Sequence, residues 1–226
     1  MLLTVPDVLS PALLEQARRV TAEAPWVDGK VTAGHQSALA KHNLQIPEDH
    51  RPAIALGEAI LEAVSKHPLF LAATLPLKIF PQLFNRYSGG QHFGTHVDNA
   101  IRKISGIPQR VRTDISVTLF LTDPGEYTGG ELSIEDAYGV KRVKLPAGHL
   151  VLYASTSLHQ VTPVTQGART CAFFWIQSMI RDSTRRMILF DLDMAIQRLN
   201  ADHPMHPSGV ELIGVYHNLL RQWAET

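Results

Sequence analysis

Residues 94–99 read Gly94-Thr95-His96-Val97-Asp98-Asn99. In an extended strand, residues two apart point to the same face, so His96 and Asp98 can converge on one ion. A His-x-Asp pair alone is weak evidence, because short motifs recur by chance. A third ligand is available in His159, which follows the apolar run 150–153 within Ser155-Thr156-Ser157-Leu158-His159-Gln160-Val161. Two imidazoles and one carboxylate on one face of an octahedron leave three positions open, an arrangement suited to iron(II), a chelating small molecule and oxygen. A structural zinc site would close its shell, usually with cysteines, and this chain has only Cys171.

Arg169 lies ten residues beyond His159 and opens Arg169-Thr170-Cys171-Ala172-Phe173-Phe174-Trp175. Alternation puts Arg169, Cys171, Phe173 and Trp175 on one face. A guanidinium on a buried, otherwise apolar face requires an anion, and its planar fork matches a carboxylate in bidentate fashion. A small dicarboxylate would then chelate the metal at one end and meet Arg169 at the other. Ser116 and Thr118 alternate with Ile115, Val117 and Leu119, and either line the pocket or face solvent. Cys171 reads as a small buried hydrophobe, with oxidation as the alternative.

The elements that must position these residues are short and strand-like from about Leu77 onward. Runs at 77–87, 94–98, 113–121, 131–134, 140–145, 149–154, 158–161 and 169–177 are separated by glycine and proline turns, which predicts a barrel or sandwich. Before them, Ser10-Pro11 reads as an N-cap with proline in the first turn, and a second helix is expected over about 52–66. Residues 29–45 are polar and read as loop. After Gln177, helical spacing returns over 180–199 and 210–224, with a polar break at 200–208.

The whole chain sets broad limits. Its 226 residues, 45% apolar and 19% charged, fit a globular protein. Lys+Arg and Asp+Glu both total 21, which argues against nucleic acid as the main partner. The single cysteine precludes an intrachain disulfide and fits a cytoplasmic location. The first residues lack a basic, apolar leader pattern, and no run approaches a membrane span.

The ordered set Tyr87, Gly90, Phe93, His96-Val97-Asp98, Gly129-Gly130-Glu131-Leu132, Pro146-Ala147-Gly148, His159, Pro163-Val164, Gly167 and Arg169 resembles the iron(II)- and 2-oxoglutarate-dependent dioxygenases. Within them it is similar to the prolyl 4-hydroxylase-like branch, above all to the bacterial PKHD-type hydroxylases associated with iron uptake. The resemblance implies a mainly β fold: a double-stranded β-helix, or jelly-roll, core over 77–178, with N-terminal helices over 1–76 and a C-terminal helical extension over 179–226. It makes His96, Asp98 and His159 the catalytic iron(II) ligands, and it makes Arg169 and Tyr87 the cosubstrate-binding residues. Read from the residues alone, Tyr87 is as readily a core aromatic. Some relatives carry a second aromatic hydroxyl where this chain has Phe120, so that contact would be missing.

The implied reaction couples oxidative decarboxylation of 2-oxoglutarate to succinate and CO2 with hydroxylation of a substrate, with O2 as co-reactant and L-ascorbate as a reductant. The substrate is open between a peptide and a small molecule such as one related to siderophores. A homo-oligomer is a reasonable expectation. Two alternatives stand beside this reading. One is a non-catalytic sensor of iron and 2-oxoglutarate that uses the C-terminal helices as an interface. The other is a cupin-like metalloenzyme with non-redox chemistry, for which Arg169 would be dispensable.

Overall fold

The computed structural model describes residues 2–32, 35–136 and 139–226. The first helix, Pro11–Glu23, begins where the sequence places it: the Ser10 hydroxyl accepts from the Leu13 amide at 3.2 Å, and Pro11 occupies the first turn, where its missing N–H is not needed. Helix Arg51–Val64 buries Ala53, Leu56, Gly57, Ile60 and Val64 at helical spacing. Ile54 was expected on the same side but is 46% exposed.

The segment expected to be a loop, 29–45, is more ordered than its composition suggests. It holds a 3-10 turn, Gly29–Thr32, a helix, His35–Ala40, and two-residue strands Lys41–His42 and Leu44–Gln45; residues 33 and 34 lie outside the described residues. Strands this short carry no periodicity to read, and they exist because each pairs with a longer neighbour, Lys41 opposite Phe93 and Leu44 opposite Arg86. A seven-residue helix, Pro68–Thr74, was also missed, being too short to show a periodic face.

Two antiparallel sheets form the core. The larger runs Leu2–Val5, Leu150–Ala154, Ile115–Phe120, Val164–Ser178, Leu83–Ser88, Leu44–Gln45, Val27–Asp28, with Tyr127–Gly129 and Pro76–Ile79 also paired to Val164–Ser178. The smaller runs Gly139–Val143, Leu132–Asp136, His159–Val161, His92–His96, Lys41–His42. This is the expected jelly roll. The expected strand 77–87 is two strands, interrupted around Pro81, which cannot donate to a ladder. The strand bearing Arg169 is longer than foreseen, at 15 residues.

The inner faces of the two sheets meet through Tyr87, Phe120, Val151 and Tyr153 from the larger and Leu132, Ile134, Val143 and Val161 from the smaller. The outer face of the larger sheet packs Val117, Leu119, Ala172, Phe174 and Ile176 against Ala17, Leu56, Ile60 and Phe70 of the N-terminal helices. That sheet is therefore covered on both sides, which explains why strand Ile115–Phe120 is buried at every position and why Leu150–Tyr153 is an unbroken apolar run. At the C-terminus, helices Ser183–Asp202 and Pro207–Trp223 pack Leu189, Tyr216, Leu219 and Trp223 around Leu75 and Ile180. The Asp182 carboxylate caps the first of them by accepting from the Arg185 amide at 2.7 Å.

Candidate active site

His96 is the last residue of strand His92–His96, and Asp98 lies just beyond it. The expectation of one continuous strand over 94–98 is thus corrected: the chain leaves the ladder after His96, yet the carboxylate still turns toward the imidazole. His159 opens strand His159–Val161 directly opposite His96 in the register. One ligand atom from each of His96, Asp98 and His159 lies within 4.8 Å of the others, and His159 Nε2 is 3.7 Å from Asp98 Oδ2.

Each imidazole is aimed by its own backbone. His96 Nδ1 lies 2.8 Å from the Gly94 carbonyl and His159 Nδ1 lies 3.0 Å from that of Ser157. A carbonyl only accepts, so Nδ1 carries the proton in both rings and Nε2 is left as a lone-pair donor for a metal. Burial, followed by the neighbouring charge of His159, pushes the His96 pKa down to about 4, which keeps the ring in its neutral, ligating form. Phe93 stacks on His96 with ring centroids 3.5 Å apart. Tyr153 meets His159 edge-on at 5.0 Å. Ser116 donates to Asp98 Oδ2 at 2.5 Å and is itself 2.7 Å from the Ser155 hydroxyl. The loop carrying Asp98 is tied down by Thr113, whose hydroxyl donates to the Asn99 carbonyl at 2.7 Å.

Arg169 projects into the same cavity from the centre of the larger sheet and is 1% exposed. Its Nε and Nη1 have no hydrogen-bond partner, and no carboxylate of the described residues pairs with it. Its guanidinium carbon sits 5.4 Å from the Tyr87 ring and 5.1 Å from the Phe120 ring. Tyr87, opposite Arg169 in the register, is buried, and burial raises its phenol pKa, so the hydroxyl stays protonated and able to donate. Gly130 makes room for this arrangement: at φ +65°, a Cβ there would approach the Arg169 Cδ to 3.1 Å and Val164 Cγ2 to 2.7 Å.

Ser116 and Thr118 line the cavity rather than facing solvent, as do Phe173 and Trp175. Cys171 is fully buried and its thiol is pushed up by burial, the environment of an inert thiol. Sequence reasoning missed four residues. Tyr127 is beside Arg169, whose charge acts on its buried phenol. Tyr153 could have been found from its alternation with the core positions of Leu150–Ala154. Lys41 and Arg102 line the cavity from the segment 29–45 and from a hairpin, Ile101–Lys103 with Arg110–Arg112, neither of which carries a chemical motif. Burial, reinforced by repulsion from Arg102, brings Lys41 down to about 7.

The donor set, two neutral imidazoles and one carboxylate with no thiolate, fits iron(II). The unmatched guanidinium fits the far carboxylate of a dicarboxylate cosubstrate.

Comparison with known proteins agrees with this chemistry. Residues 83–177 match the 2OG-Fe(II) oxygenase superfamily, and residues 182–225 match the PKHD-type hydroxylase C-terminal domain. The chain is 60% identical over 227 residues to a PKHD-type hydroxylase of Xanthomonas axonopodis pv. citri, covering all of both chains. It is 55% identical over 225 residues to the PKHD-type hydroxylase PiuC of Pseudomonas aeruginosa, again over the full length of both. Among solved structures, the fold is similar to a prolyl hydroxylase of Trichoplax adhaerens, with a TM-score of 0.53, 13% identity and coverage of 83% of this chain and 86% of that one. It is also similar to HygX of Streptomyces hygroscopicus with nickel and 2-oxoglutarate bound, with a TM-score of 0.53, 13% identity and coverage of 79% and 84%.

Proposed function

The chain belongs to the PKHD-type hydroxylases, iron(II)- and 2-oxoglutarate-dependent dioxygenases, and from that premise we propose that His96, Asp98 and His159 hold its iron and that Arg169 and Tyr87 hold its 2-oxoglutarate. The observation that carries the second assignment is the state of Arg169: a fully buried guanidinium with two unmatched nitrogens, in the cavity that the three ligands share. A buried cation without an anion is costly, and the cost is removed when a carboxylate arrives. When bound, iron(II) with 2-oxoglutarate activates O2 so that succinate and CO2 form as a substrate C–H bond is hydroxylated.

The chain's own residues bind, orient and exclude water. His96 and His159 present Nε2 because their Nδ1 protons are held by backbone carbonyls. Ser116 fixes which oxygen of Asp98 is left free. Arg169 offers its unmatched guanidinium N–H groups and Tyr87 a phenolic O–H to one end of the cosubstrate. Phe120, Leu132, Val161 and Val164 keep that end dry, which strengthens each charge-assisted hydrogen bond. The deciding experiment is calorimetric titration of the iron(II)-loaded, oxygen-free protein with 2-oxoglutarate, paired with succinate release in air. Equal 2-oxoglutarate affinity in wild type and Arg169→Met would overturn the assignment.

In the same reading, residues 77–178 form the catalytic core, on which 1–76 pack and from which 179–226 extend. Ascorbate acts as the reductant that returns the iron to iron(II), and a cytoplasmic location fits the single free thiol, Cys171. No helix of the described residues is long and apolar enough to cross a membrane.

A further inference from the structure

The ligands and Arg169 account for the inner part of the cavity and leave Arg102 and Lys41 unused. Both line the same cavity, beside Phe173 and Trp175. Trp175 is six residues along its strand from Arg169, about 20 Å at the usual rise, so Arg102, which lies over Trp175, and Arg169 stand toward opposite ends of the space. The guanidinium carbon of Arg102 sits 4.1 Å from the Trp175 ring centroid and 5.2 Å from that of Phe80. Stacking holds a guanidinium by its face and leaves its in-plane N–H edge available. Arg102 forms no hydrogen bond or ion pair among the described residues, and its Nε is buried without an acceptor. It feels the charges of Asp98 and Glu48 only at a distance; Asp98 is committed to the metal, and Glu48 is exposed. Lys41, 4% exposed, donates to Gln45 Oε1 at 2.8 Å, and Asp98 and Asp28 act against the burial that lowers its pKa to about 7.

A charge count shows what is missing. Iron(II) and Arg169 contribute three positive charges, and Asp98 and the 2-oxoglutarate dianion contribute three negative ones, so the loaded inner site is neutral. Arg102 is then a positive charge beyond the neutral inner site, beside Phe173 and Trp175, with only the metal-committed Asp98 and the exposed Glu48 acting on it from a distance. Resting on the function proposed above, we propose that this end of the cavity is a subsite for a carboxylate on the substrate. Arg102 is its bidentate donor, and Phe173 and Trp175 flank the adjoining apolar part. The substrate is an acid, either a free carboxylic acid or an acidic side chain of a peptide.

The test uses the oxygen-free protein loaded with iron(II) and 2-oxoglutarate, so that Arg169 is already occupied. Calorimetry would compare benzoate with benzamide, and a blocked Gly-Glu-Gly peptide with its Gly-Gln-Gly counterpart. At least one acid is expected to bind tighter than its amide by about tenfold or more, the scale of a charge-assisted hydrogen-bonded pair. Preference for benzoate identifies a free acid as the source, and preference for the glutamyl peptide identifies a side chain. The preference should shrink to about twofold or less in Arg102→Gln and return in part in Arg102→Lys, while 2-oxoglutarate affinity, which reports an intact fold, stays unchanged. The proposal is overturned if no acid outbinds its amide, including the case in which none binds, or if the preference survives Arg102→Gln. Failure of wild type to bind 2-oxoglutarate would instead overturn the reading beneath it. The dependence of acid binding on Arg102 would still be measurable on the protein loaded with iron(II) alone.

Discussion

On the outer face of the larger sheet, Val117, Leu119, Ala172, Phe174 and Ile176 meet the N-terminal helices in a wholly apolar layer. One residue along the same strands, the inner face carries Ser116, Thr118, Asn85, Tyr87 and Arg169, and several of its polar atoms have no partner. The backbone is shared, yet the residues of the outer layer are apolar and those of the inner face leave polar atoms for a ligand to meet. Folding free energy is concentrated on the outer face, where burial of apolar area is fullest. The inner face holds interactions that are made only when ligands arrive.

Substitutions that hit one face and spare the other would test this division. The largest effect is expected from His96→Ala or His159→Ala: loss of roughly a thousandfold or more in succinate release, since the metal carries the hard chemistry, with little change in circular dichroism. Phe174→Ala should show the opposite signature. It should lose about 3–5 kcal/mol of stability in denaturant titration, while the molecules that remain folded bind 2-oxoglutarate normally. Next is Arg169→Met, which should weaken 2-oxoglutarate binding by about a hundredfold, as expected from lost charge-assisted hydrogen bonds. The ligand-free variant should melt no lower than wild type, because an unmatched buried cation has been removed. If Arg169→Met proved as destabilising as Phe174→Ala, the division between faces would fail.

Smaller effects sharpen the picture. Ser116→Ala removes the hydrogen bond that steadies Asp98 and should reduce iron affinity by about tenfold, the lower end for groups that orient ligands. The pH dependence of the iron-free protein should follow His96, whose folded-state pKa is depressed to about 4 from 6.5. Between those values the unfolded chain binds a proton that the folded chain does not. Stability is therefore full above about 6.5 and is lost as pH falls toward 4. Thermal melts across that window would show it, and the slope should flatten in His96→Gln.

The parts of the site that could be read from the sequence were those fixed by local spacing. His96 and Asp98 sit two apart, His159 follows an apolar strand, and Arg169 shares an alternating face with Phe173 and Trp175; all four line one cavity. What was hidden depends on contacts distant in the chain. Lys41 reaches the cavity only because a two-residue strand pairs with His92–His96. Arg102 does so because a short hairpin sets it over Trp175. Neither strand is long enough to show a period. The helix Pro68–Thr74 was missed for the same reason, and the break at Pro81 was missed because an apolar run was read through it. The start of helix Pro11–Glu23, marked by its Ser10 cap, was foreseen, and Arg51–Val64, with its long apolar face, was foreseen to within a residue or two.

The hydrogen bonds from His96 to Gly94 and from His159 to Ser157 have a consequence for how such a protein can change over time. In each case the partner is a main-chain carbonyl two residues earlier, present whatever side chain stands there. A mutation can delete either imidazole, but no exchange of a neighbouring side chain deletes the acceptor that aims it. The pointing of these two rings is inherited with the path of the chain. The surrounding cavity wall is free to drift toward new substrates while the ligands keep their aim.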